Sequence, residues 1–521
     1  MHNKVKCCIH FTIIVSFLAS CQSCRLIAPY QAPCTPTPLT WKNQTVNEEE
    51  LPSSGKEFEQ CKEELDYWWE IFDDPLLNEL EGQALESSYT LWAALEKVIQ
   101  ARAIARIDRA SLLPAIGFNP SFNRSGMLLQ NLFKDLLSTQ ANPGQQPMVQ
   151  KGSSPCAGSQ QNSIPSLFRA VQTQYILPFE LSYELDFFGK LANTYDSALY
   201  SAQASAQAYL SVLLTLTADI AANYFQLRSL DKQKALLERT IASRNKALDI
   251  LSVRFKAGLI IYIDVTRSEA ELARAKADLS DIERLRGIQE NTIATLVGIP
   301  APVFSLHFNP LELPPPLIPD GLPSDLLYRR PDIAQVEREL AAAYAQIGVA
   351  YAEFFPSVNL TASLGLESPV ARALLSWKAR FWEVGLNVMQ SVFDGGRNCA
   401  NLDYTQSLFR ESMANYQQQV LTAFQDVEDS LISLRQRAVQ DEALLEASQA
   451  ARQTLNLSEM RYNQGLINYL DVVDAERTLL QTEQTSVIVL GERYVSTVRL
   501  IKALGGGWSP ISNYPKCWET D

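Results

Sequence analysis

The chain has 521 residues, 46% of them hydrophobic, and a formal net charge of −13. This length is ample for several segments, and the excess of acidic residues disfavours nucleic acid as a partner. Of the three histidines, two lie at positions 2 and 10, in a segment predicted to be removed, and the third is His307. A histidine-based catalytic triad or multi-histidine metal site is therefore nearly excluded within one chain, and no enzyme activity, metal site or bound cofactor is predicted.

The amino terminus is typical of a secretory signal. Two lysines precede an apolar run from Ile9 to Ala19, which is too short to span a membrane. The run ends in Leu-Ala-Ser-Cys21, which resembles the lipobox of bacterial lipoproteins, so residues 1–20 are predicted to be cleaved and Cys21 to become N-acyl diacylglyceryl cysteine. Cys24 is a second candidate for the lipid, and an ordinary cleaved signal is the alternative. Residues 21–75 would then form a lipid-anchored segment, and nothing after the signal predicts a transmembrane helix.

The nine cysteines lack the paired CxxC spacing of zinc ribbons. Cys34 and Cys61 could pair in an oxidising compartment, but the sequence does not determine disulfide pairing. The pairing is therefore left open for Cys34, Cys61, Cys156, Cys399 and Cys517.

The rest of the chain consists of two similar halves. Arg254–Val265 matches Arg461–Val472 at a constant offset of 207 residues, and the same offset places Gly189 on Gly396. A register that holds over so long a segment indicates a tandem duplication. The predicted order is a first repeat, a Pro-rich connector, a second repeat and a C-terminal tail, at residues 76–298, 299–323, 324–508 and 509–521.

Each repeat contains two segments in which apolar and polar residues alternate. The predicted strands are about 114–125 and 172–188 in the first repeat and about 356–367 and 381–394 in the second. Alternation is typical of strands between lipid and water, although a half-buried soluble sheet alternates in the same way. Four strands are too few for a membrane barrel, whose smallest forms have about eight, so chains facing lipid would have to share one. Two chains would give the minimum and three would give twelve strands.

Two proline-free segments have the composition of long helices. At about 1.5 Å per residue, 191–256 and 398–464 would each be about 100 Å long. Each ends at a glycine, Gly258 or Gly465, which suits a left-handed C-cap and a tight turn into a shorter return helix. The return helices are predicted at 265–296 and 472–504, with further helices at about 76–110 and 324–352. A low-complexity segment at 138–166 predicts an enlarged loop.

The motifs of both halves resemble the outer-membrane efflux protein family, the TolC-like ducts, and above all its OprM-like, NodT-type lipoprotein branch. The resemblance covers nearly the whole chain after the signal. It is based on Tyr183–Lys190, Leu327–Ile333, Ile347–Pro356, Phe393–Arg397 and Ala503–Trp508.

The resemblance implies a membrane α+β fold, in which a homotrimeric 12-stranded β-barrel with four strands per chain continues into a long α-helical periplasmic barrel. It implies an outer-membrane, lipid-anchored channel that passively exports drugs or other small molecules. The partners would be a periplasmic adaptor (a membrane fusion protein) and an inner-membrane pump of the resistance-nodulation-division (RND) type.

The resemblance also implies roles for individual residues. A periplasmic gate would consist of Tyr462, Leu470, Asp471 and Asp474, where three copies of two carboxylates form an acidic ring that attracts cations. Asp471 has the counterpart Asp264 in the first repeat, but Asp474 matches Arg267. The alternative is a solvated helix face on which Asp474 pairs with Arg477.

The turns would contact the adaptor, and alternate strand residues would face the lumen. The predicted docking tips are Gly258, Leu259, Gly465 and Leu466, and each turn could equally be a simple helix cap. The predicted lumen residues are Glu180, Glu184 and Asp186, which could also be inward polar residues without selectivity. Two other functions fit the same sequence: a duct for type I protein secretion or metal-ion efflux, and a structural trimeric coiled-coil lipoprotein without a channel.

Overall fold

The computed structural model describes residues 26–33, 41–42, 67–128, 169–316, 318 and 329–506. The chain divides into two compact units. The sheet unit comprises Met1–Ala28, Ile107–Thr194 and Gly348–Leu402, and the helical unit comprises Pro29–Arg106, Tyr195–Ile347 and Asp403–Asp521. The predicted signal, both candidate lipidation sites (Cys21 and Cys24), the low-complexity loop 138–166 and the tail 509–521 lie outside the described residues.

Within the described residues, the sheet unit contains five antiparallel strands: β1 Ala115–Phe118, β2 Ser121–Leu128, β3 Arg169–Leu185, β4 Ser357–Ser368 and β5 Arg380–Met389. The strands are paired in the order β1-β3-β4-β5, and β2 also pairs with β3.

The sequence predicts four strands, and the difference arises at a single proline. Strands β1 and β2 pair with β3 in one continuous register, from Ala115 opposite Ser182 to Ser121 opposite Ile176. Pro120, between them, has no N–H to donate to the ladder, so the strand is interrupted there. The five strands therefore occupy four positions across the sheet.

Strands β3 and β5 both end earlier than predicted, and after each strand an aspartate caps the helix that follows. Asp186 Oδ2 accepts a hydrogen bond from the backbone N–H of Ala192 at 2.8 Å. Asp394 accepts from the backbone N–H groups of Gly396 at 2.9 Å and Asn398 at 3.0 Å. These hydrogen bonds lower the pKa of Asp394. Carboxylates are favoured at helix N-termini, where backbone N–H groups have no partner in the helix.

The helices repeat with the offset seen in the sequence. The long helices α3 (Lys190–Lys256) and α6 (Arg397–Asn463) each have 67 residues. Their return partners, α4 (Tyr262–Val297) and α7 (Tyr469–Ala503), have 36 and 35. The other α-helices of the described residues are α1 (Pro75–Ser87), α2 (Tyr89–Ala110) and α5 (Pro331–Ala352). The predicted start of α5 at residue 324 lies outside the described residues.

The segment predicted as one helix at 76–110 forms two, because the end of α4 packs against its middle. Ser88 adopts an extended conformation between α1 and α2. The Ser87 hydroxyl donates to the carbonyl oxygen of Val297 at 2.5 Å. Gly298 has a φ of +87°, and a Cβ at this position would lie 2.5 Å from the Ser87 carbonyl oxygen. This close approach requires glycine and explains the interruption.

The helical unit has its main core around the middle of the long helices. Its fully buried apolar side chains come from α1, α3, α4, α5, α6 and α7, and include Leu77, Tyr224, Leu227, Ile293, Leu340, Leu431 and Leu500. Phe225 packs against Phe72 and Tyr494 with ring centroids 4.7 and 4.5 Å apart. Burial of each such side chain contributes about 1.5–3 kcal/mol, so packing rather than helix propensity holds the helices together.

A buried ionic group fixes the Pro-rich connector to this core. Asp231 is fully buried and lies 2.9 Å from Arg228 and 2.7 Å from Arg286. The two arginines also donate to connector carbonyl oxygens, those of His307 at 2.6 Å and Leu306 at 2.7 Å. The connector is therefore held by hydrogen bonds from both helices of the first hairpin.

Candidate functional site

The sheet has one continuous apolar face. On β5, Trp382, Val384, Leu386 and Val388 point to this face, and their exposures range from 57 to 77%. The register extends it in rows across β4 and β3, such as Trp382 opposite Leu364 and Leu364 opposite Phe179. The end of that row packs Phe118 against Phe179 with ring centroids 4.8 Å apart. An exposed apolar surface of this extent indicates a site that contacts lipid or protein.

The opposite face of the sheet carries carboxylates. Glu180 lies opposite Ser363, which in turn lies opposite Glu383, and Glu184 lies opposite Asn359. Two of the three predicted lumen residues thus share one face with an additional glutamate. Asp186 does not lie on this face of the ladder, because it follows the end of β3 and caps α3.

The two hairpin turns have the same geometry. Gly258 and Gly465 have φ angles of +72° and +73°, the left-handed conformation that glycine adopts without strain. The Leu259 N–H donates to Arg254 O at 3.0 Å, and the Leu466 N–H donates to Arg461 O at 2.9 Å. Both leucines are exposed, at 73 and 63%. The sequence-predicted tips are therefore helix caps that also present an apolar side chain.

The turns of the two hairpins pack against each other. A second apolar cluster buries Leu251, Val265, Tyr469, Val472 and Val473. Beside it, an Arg254 nitrogen donates to Asn463 Oδ1 at 3.2 Å, and the Arg254 guanidinium carbon lies 5.6 Å from the ring centroid of Tyr462. This tip cluster joins the ends of α3, α4, α6 and α7.

The four predicted gate residues have different surroundings. Tyr462 packs on Tyr469 with ring centroids 5.5 Å apart, and Leu470 is 39% exposed. Asp471 Oδ2 accepts from the Asn468 N–H at 3.2 Å and so caps α7. Asp474 lies 3.5 Å from Arg477, the pair that the alternative interpretation predicts. Each carboxylate therefore has a local partner within its own chain.

An ionic network beside the tip cluster was not predicted. Arg244 lies 3.3 Å from Glu271 and 3.9 Å from Glu476. Arg477 donates to Glu271 at 2.9 Å through Nε, and a second Arg477 nitrogen contacts the same oxygen. These contacts link the two helices of the first hairpin to α7. Comparison of the repeats could have revealed them, since Arg244, Glu271 and Arg477 match Ala451, Thr478 and Ala270.

The network shifts the ionisation of its two glutamates in opposite directions. The hydrogen bond from Arg477, against a smaller effect of burial, lowers the pKa of Glu271. Burial raises the pKa of Glu476; the charge of Arg244 opposes this effect, and the charges of Glu459 and Glu271 add to it. Glu476 also lines a cavity of about 240 Å³ between the hairpins, together with Arg239, Arg244, Arg452, Glu459 and Glu483. The cavity therefore has charges of both signs.

Two further features of the described part of the chain bear on a metal site and a membrane span. No group of three or more His, Cys, Asp or Glu side chains there is arranged to hold a metal ion. Helix α3 contains an 18-residue stretch apolar enough to cross a membrane by composition, although the sequence was expected to have none after the signal. Core helices pass the same test, and 39% of this stretch is buried within the protein.

The family of the chain is shown by a family model that matches two segments and by relatives that match nearly its whole length. The family model described as outer membrane efflux protein matches residues 80–299 and 322–506. The chain belongs to this family.

The relatives match nearly the whole chain. The toluene efflux pump outer membrane protein TtgF of Pseudomonas putida is 30% identical over 501 residues, which cover 96% of this chain and 98% of the relative. The pyoverdine export outer membrane protein OpmQ of Pseudomonas aeruginosa is 32% identical over 85% of this chain and 87% of its own length. The structure of the outer-membrane channel OprN is similar with a TM-score of 0.79 and 26% identity, covering 94% of this chain and 100% of that one. The expected membrane α+β fold class and family are confirmed.

Proposed function

We propose that this protein is the outer-membrane channel of a tripartite efflux system, in which three copies close a single passive duct. The observation that carries the proposal is the sheet, which has an apolar exposed face, a carboxylate-bearing face and open edges at β1/β2 and β5. An open edge in lipid would leave backbone groups unsatisfied at several kcal/mol each. Pairing with neighbouring copies satisfies both edges and leaves the apolar face against lipid.

The dimensions of the sheet support a membrane barrel. Strand β4 has twelve residues, which at about 3.3 Å each is long enough to cross an apolar band of about 25 Å even when tilted. Four strand positions per chain give twelve in a trimer. Two copies would give only the minimum of about eight, and the long helices need space to surround a lumen.

The helical hairpins would be the periplasmic part of the duct. Helices α3 and α6 are about 100 Å long, which suits a tunnel that reaches toward an inner-membrane pump of RND type. Exposed Leu259 and Leu466 at the turns would contact the helical hairpins of an adaptor protein. An acylated Cys21, or Cys24, would fix the amino terminus to the outer membrane.

The second tip would constrict the duct. Three copies of Asp471 and Asp474 would form an acidic ring, with Leu470 as an apolar constriction. The names of the relatives refer to cargoes as different as toluene and pyoverdine. We therefore assign the choice of cargo to the pump rather than to the duct.

The decisive experiment is to purify the mature protein in detergent, weigh the particle and insert it into planar lipid bilayers. We expect a trimer that forms discrete, long-lived conductance steps. A monodisperse monomer in detergent-free buffer would contradict the proposal, and a trimer without conductance would favour the coiled-coil lipoprotein. For the anchor, Cys21→Ser should abolish metabolic lipid labelling, whereas persistent labelling would move the anchor to Cys24.

A further inference from the structure

The connection between β4 and β5 combines exposed apolar side chains with cations. The loop spans residues 369–379 and contains two short 3₁₀ turns, Ala371–Ala373 and Trp377–Ala379. Val370, Leu375 and Trp377 are 55, 83 and 77% exposed. Backbone hydrogen bonds from Ala373 to Val370, from Ser376 to Ala373 and from Ala379 to Ser376 give the loop a defined shape. The apolar side chains are thus held out from the sheet by a structured loop.

The charge of this segment is opposite to that of the whole protein. Arg372, Lys378 and Arg380 are all exposed, and no acidic residue occurs from Ser368 to Trp382. The chain as a whole has a net charge of −13. The segment from Ser368 to Trp382 therefore has a local excess of three positive charges beside exposed apolar side chains.

Arg380 marks where the apolar face of the sheet ends. Side chains on β5 alternate, so Arg380 lies on the same face as Trp382, Val384, Leu386 and Val388. Arg380 Nε donates to Trp377 O at 2.8 Å, and its guanidinium carbon lies 3.0 Å from the centre of the Trp377 ring. The ring therefore holds the cation at the margin of the apolar face, rather than leaving it free on a flexible stem.

The loop lies at the outer end of the strands. The start of β1, the end of β3, the start of β4 and the end of β5 lead to or from helices, so loop 369–379 lies at the opposite end of the sheet, where Leu128 of β2 pairs with Arg169 of β3. If the helices extend into the periplasm, as in the proposed function, this end reaches the outer leaflet. Tryptophan and arginine together are typical of the level at which apolar chains give way to headgroups.

We propose that Arg372, Lys378 and Arg380, with Trp377, form a binding site for a phosphate-bearing lipid headgroup of the outer leaflet. One arginine guanidinium can donate two parallel hydrogen bonds to a phosphate group, and a lysine adds a compact positive charge. Trp377 and Leu375 would contact the upper acyl chains while the cations contact the phosphate. The inference rests on the proposed function in two respects: the apolar face of the sheet must contact lipid, and the helices must extend into the periplasm so that this loop reaches the outer leaflet.

The test uses the full-length trimer in neutral detergent, titrated with bisphosphorylated lipid A and, separately, with phosphatidylcholine. The test variant is Arg372→Gln/Lys378→Gln/Arg380→Gln. The matched control, Lys97→Gln/Lys246→Gln/Lys276→Gln, removes three positive charges from exposed helix positions. We expect the test variant to bind lipid A at least about tenfold more weakly, with wild-type affinity in the control.

Three results would overturn the proposal: equal lipid A affinity in the test variant and wild type, an equal loss in both variants, and displacement of lipid A by millimolar inorganic phosphate. The first two would remove the site, and the third would identify a soluble anion rather than a lipid. Bilayer conductance of the same preparations separates this inference from the proposed function. A conducting test variant with lost lipid binding supports both, whereas a non-conducting wild type contradicts the duct alone.

Discussion

Glu81 on α1 is a carboxylic acid within the apolar core of the helical unit. It is 0% exposed, and neither carboxyl oxygen has a hydrogen-bond partner in the described structure. Its neighbours along the buried face of α1 are Leu77, Leu80 and Ala84. Burial raises the pKa of Glu81 well above its usual value. The folded state therefore favours the neutral carboxylic acid, because an ionised carboxylate without a hydrogen-bond partner would destabilise an apolar core.

Replacement of Glu81 by Gln should stabilise the protein increasingly as pH rises. The pKa of Glu81 is higher in the folded than in the unfolded state. Its contribution to the free energy of unfolding is therefore fully present below the unfolded pKa of about 4.3 and is lost as pH rises through the folded pKa. Gln cannot ionise, so the stability of the variant relative to the wild type should increase as pH rises from the unfolded to the folded pKa of Glu81. The fluorescence of the neighbouring Trp68 and Trp69 during thermal unfolding would measure it. A difference that does not change with pH would contradict this assignment.

The turn glycines allow a matched comparison of backbone strain. A Cβ added at Gly258 or Gly465 would have no heavy atom within 4 Å, so substitution should cost only the left-handed conformation. We expect Gly258→Ala and Gly465→Ala each to reduce stability by about 1 kcal/mol. Hydrogen exchange of the tip peptides would detect this as faster opening. Gly298→Ala should cost more, because its Cβ would meet the Ser87 carbonyl.

At the scale of elements, the network of Arg244, Glu271, Glu476 and Arg477 links the two hairpins. Arg244 and Glu271 are both nearly buried, with side-chain exposures of 5 and 8%, whereas Arg477 is 49% exposed. The two buried residues contribute most to stability, because loss of either would leave the other as an unpaired charge with little access to water. The exposed arginine is screened by water and contributes less.

Glu271→Gln should loosen the contact between α4 and α7. Because the pKa of Glu271 is lowered, its stabilising effect is present above the unfolded value of about 4.3 and is lost as pH falls through the folded value. We expect faster hydrogen exchange in both helices near the network at neutral pH, with a smaller difference in acid. The control is Asp281→Asn, which breaks the pair with Arg284 on the same helix, where both side chains are 58% exposed. Equal effects of the two substitutions would contradict a special role for the network.

The bounds of the main elements follow from local signals in the sequence. Proline-free segments, turn glycines and period-two alternation predict the long helices and the strands to within about five residues. The break at Ser88 could not be predicted in this way, because it depends on Gly298 and Val297, more than two hundred residues away. Asp186 and Asp394 belong to the helix caps that follow β3 and β5, and an alternating pattern does not reveal this role.

At the scale of the whole molecule, the repeats are alike in fold and different in charge. Asp471 has the counterpart Asp264, but Asp474 matches Arg267, and Arg477 matches Ala270. The sequence identifies the tips because glycine marks them. The i, i+3 spacing of Asp474 and Arg477 predicts their pairing, as the alternative interpretation has it, whereas the hydrogen bond from Asn468 to Asp471 follows only from where α7 begins.

The asymmetry between the tips gives a conductance test of the gate. Asp471→Asn/Asp474→Asn should raise single-channel conductance and weaken block by divalent cations, because the acidic ring would be lost. Asparagine rather than alanine is chosen because it can keep part of the cap on α7. Asp264→Asn, at the equivalent position of the first repeat, is the control and should leave both properties unchanged. Unaltered conductance in the double variant would remove the gate assignment.

The two long helices are equal in length to the residue, and their first residues are separated by the same 207 positions as their turns. The two hairpins therefore extend equally far from the sheet end of their long helices to their turns. An insertion of seven residues into each helix of one hairpin alone would extend its tip by about 10 Å past the other tip and uncouple the shared apolar cluster. A change in hairpin length would therefore have to occur in both repeats of the chain. Hairpins of different length within the family would then arise by insertions or deletions of equal size in the two repeats.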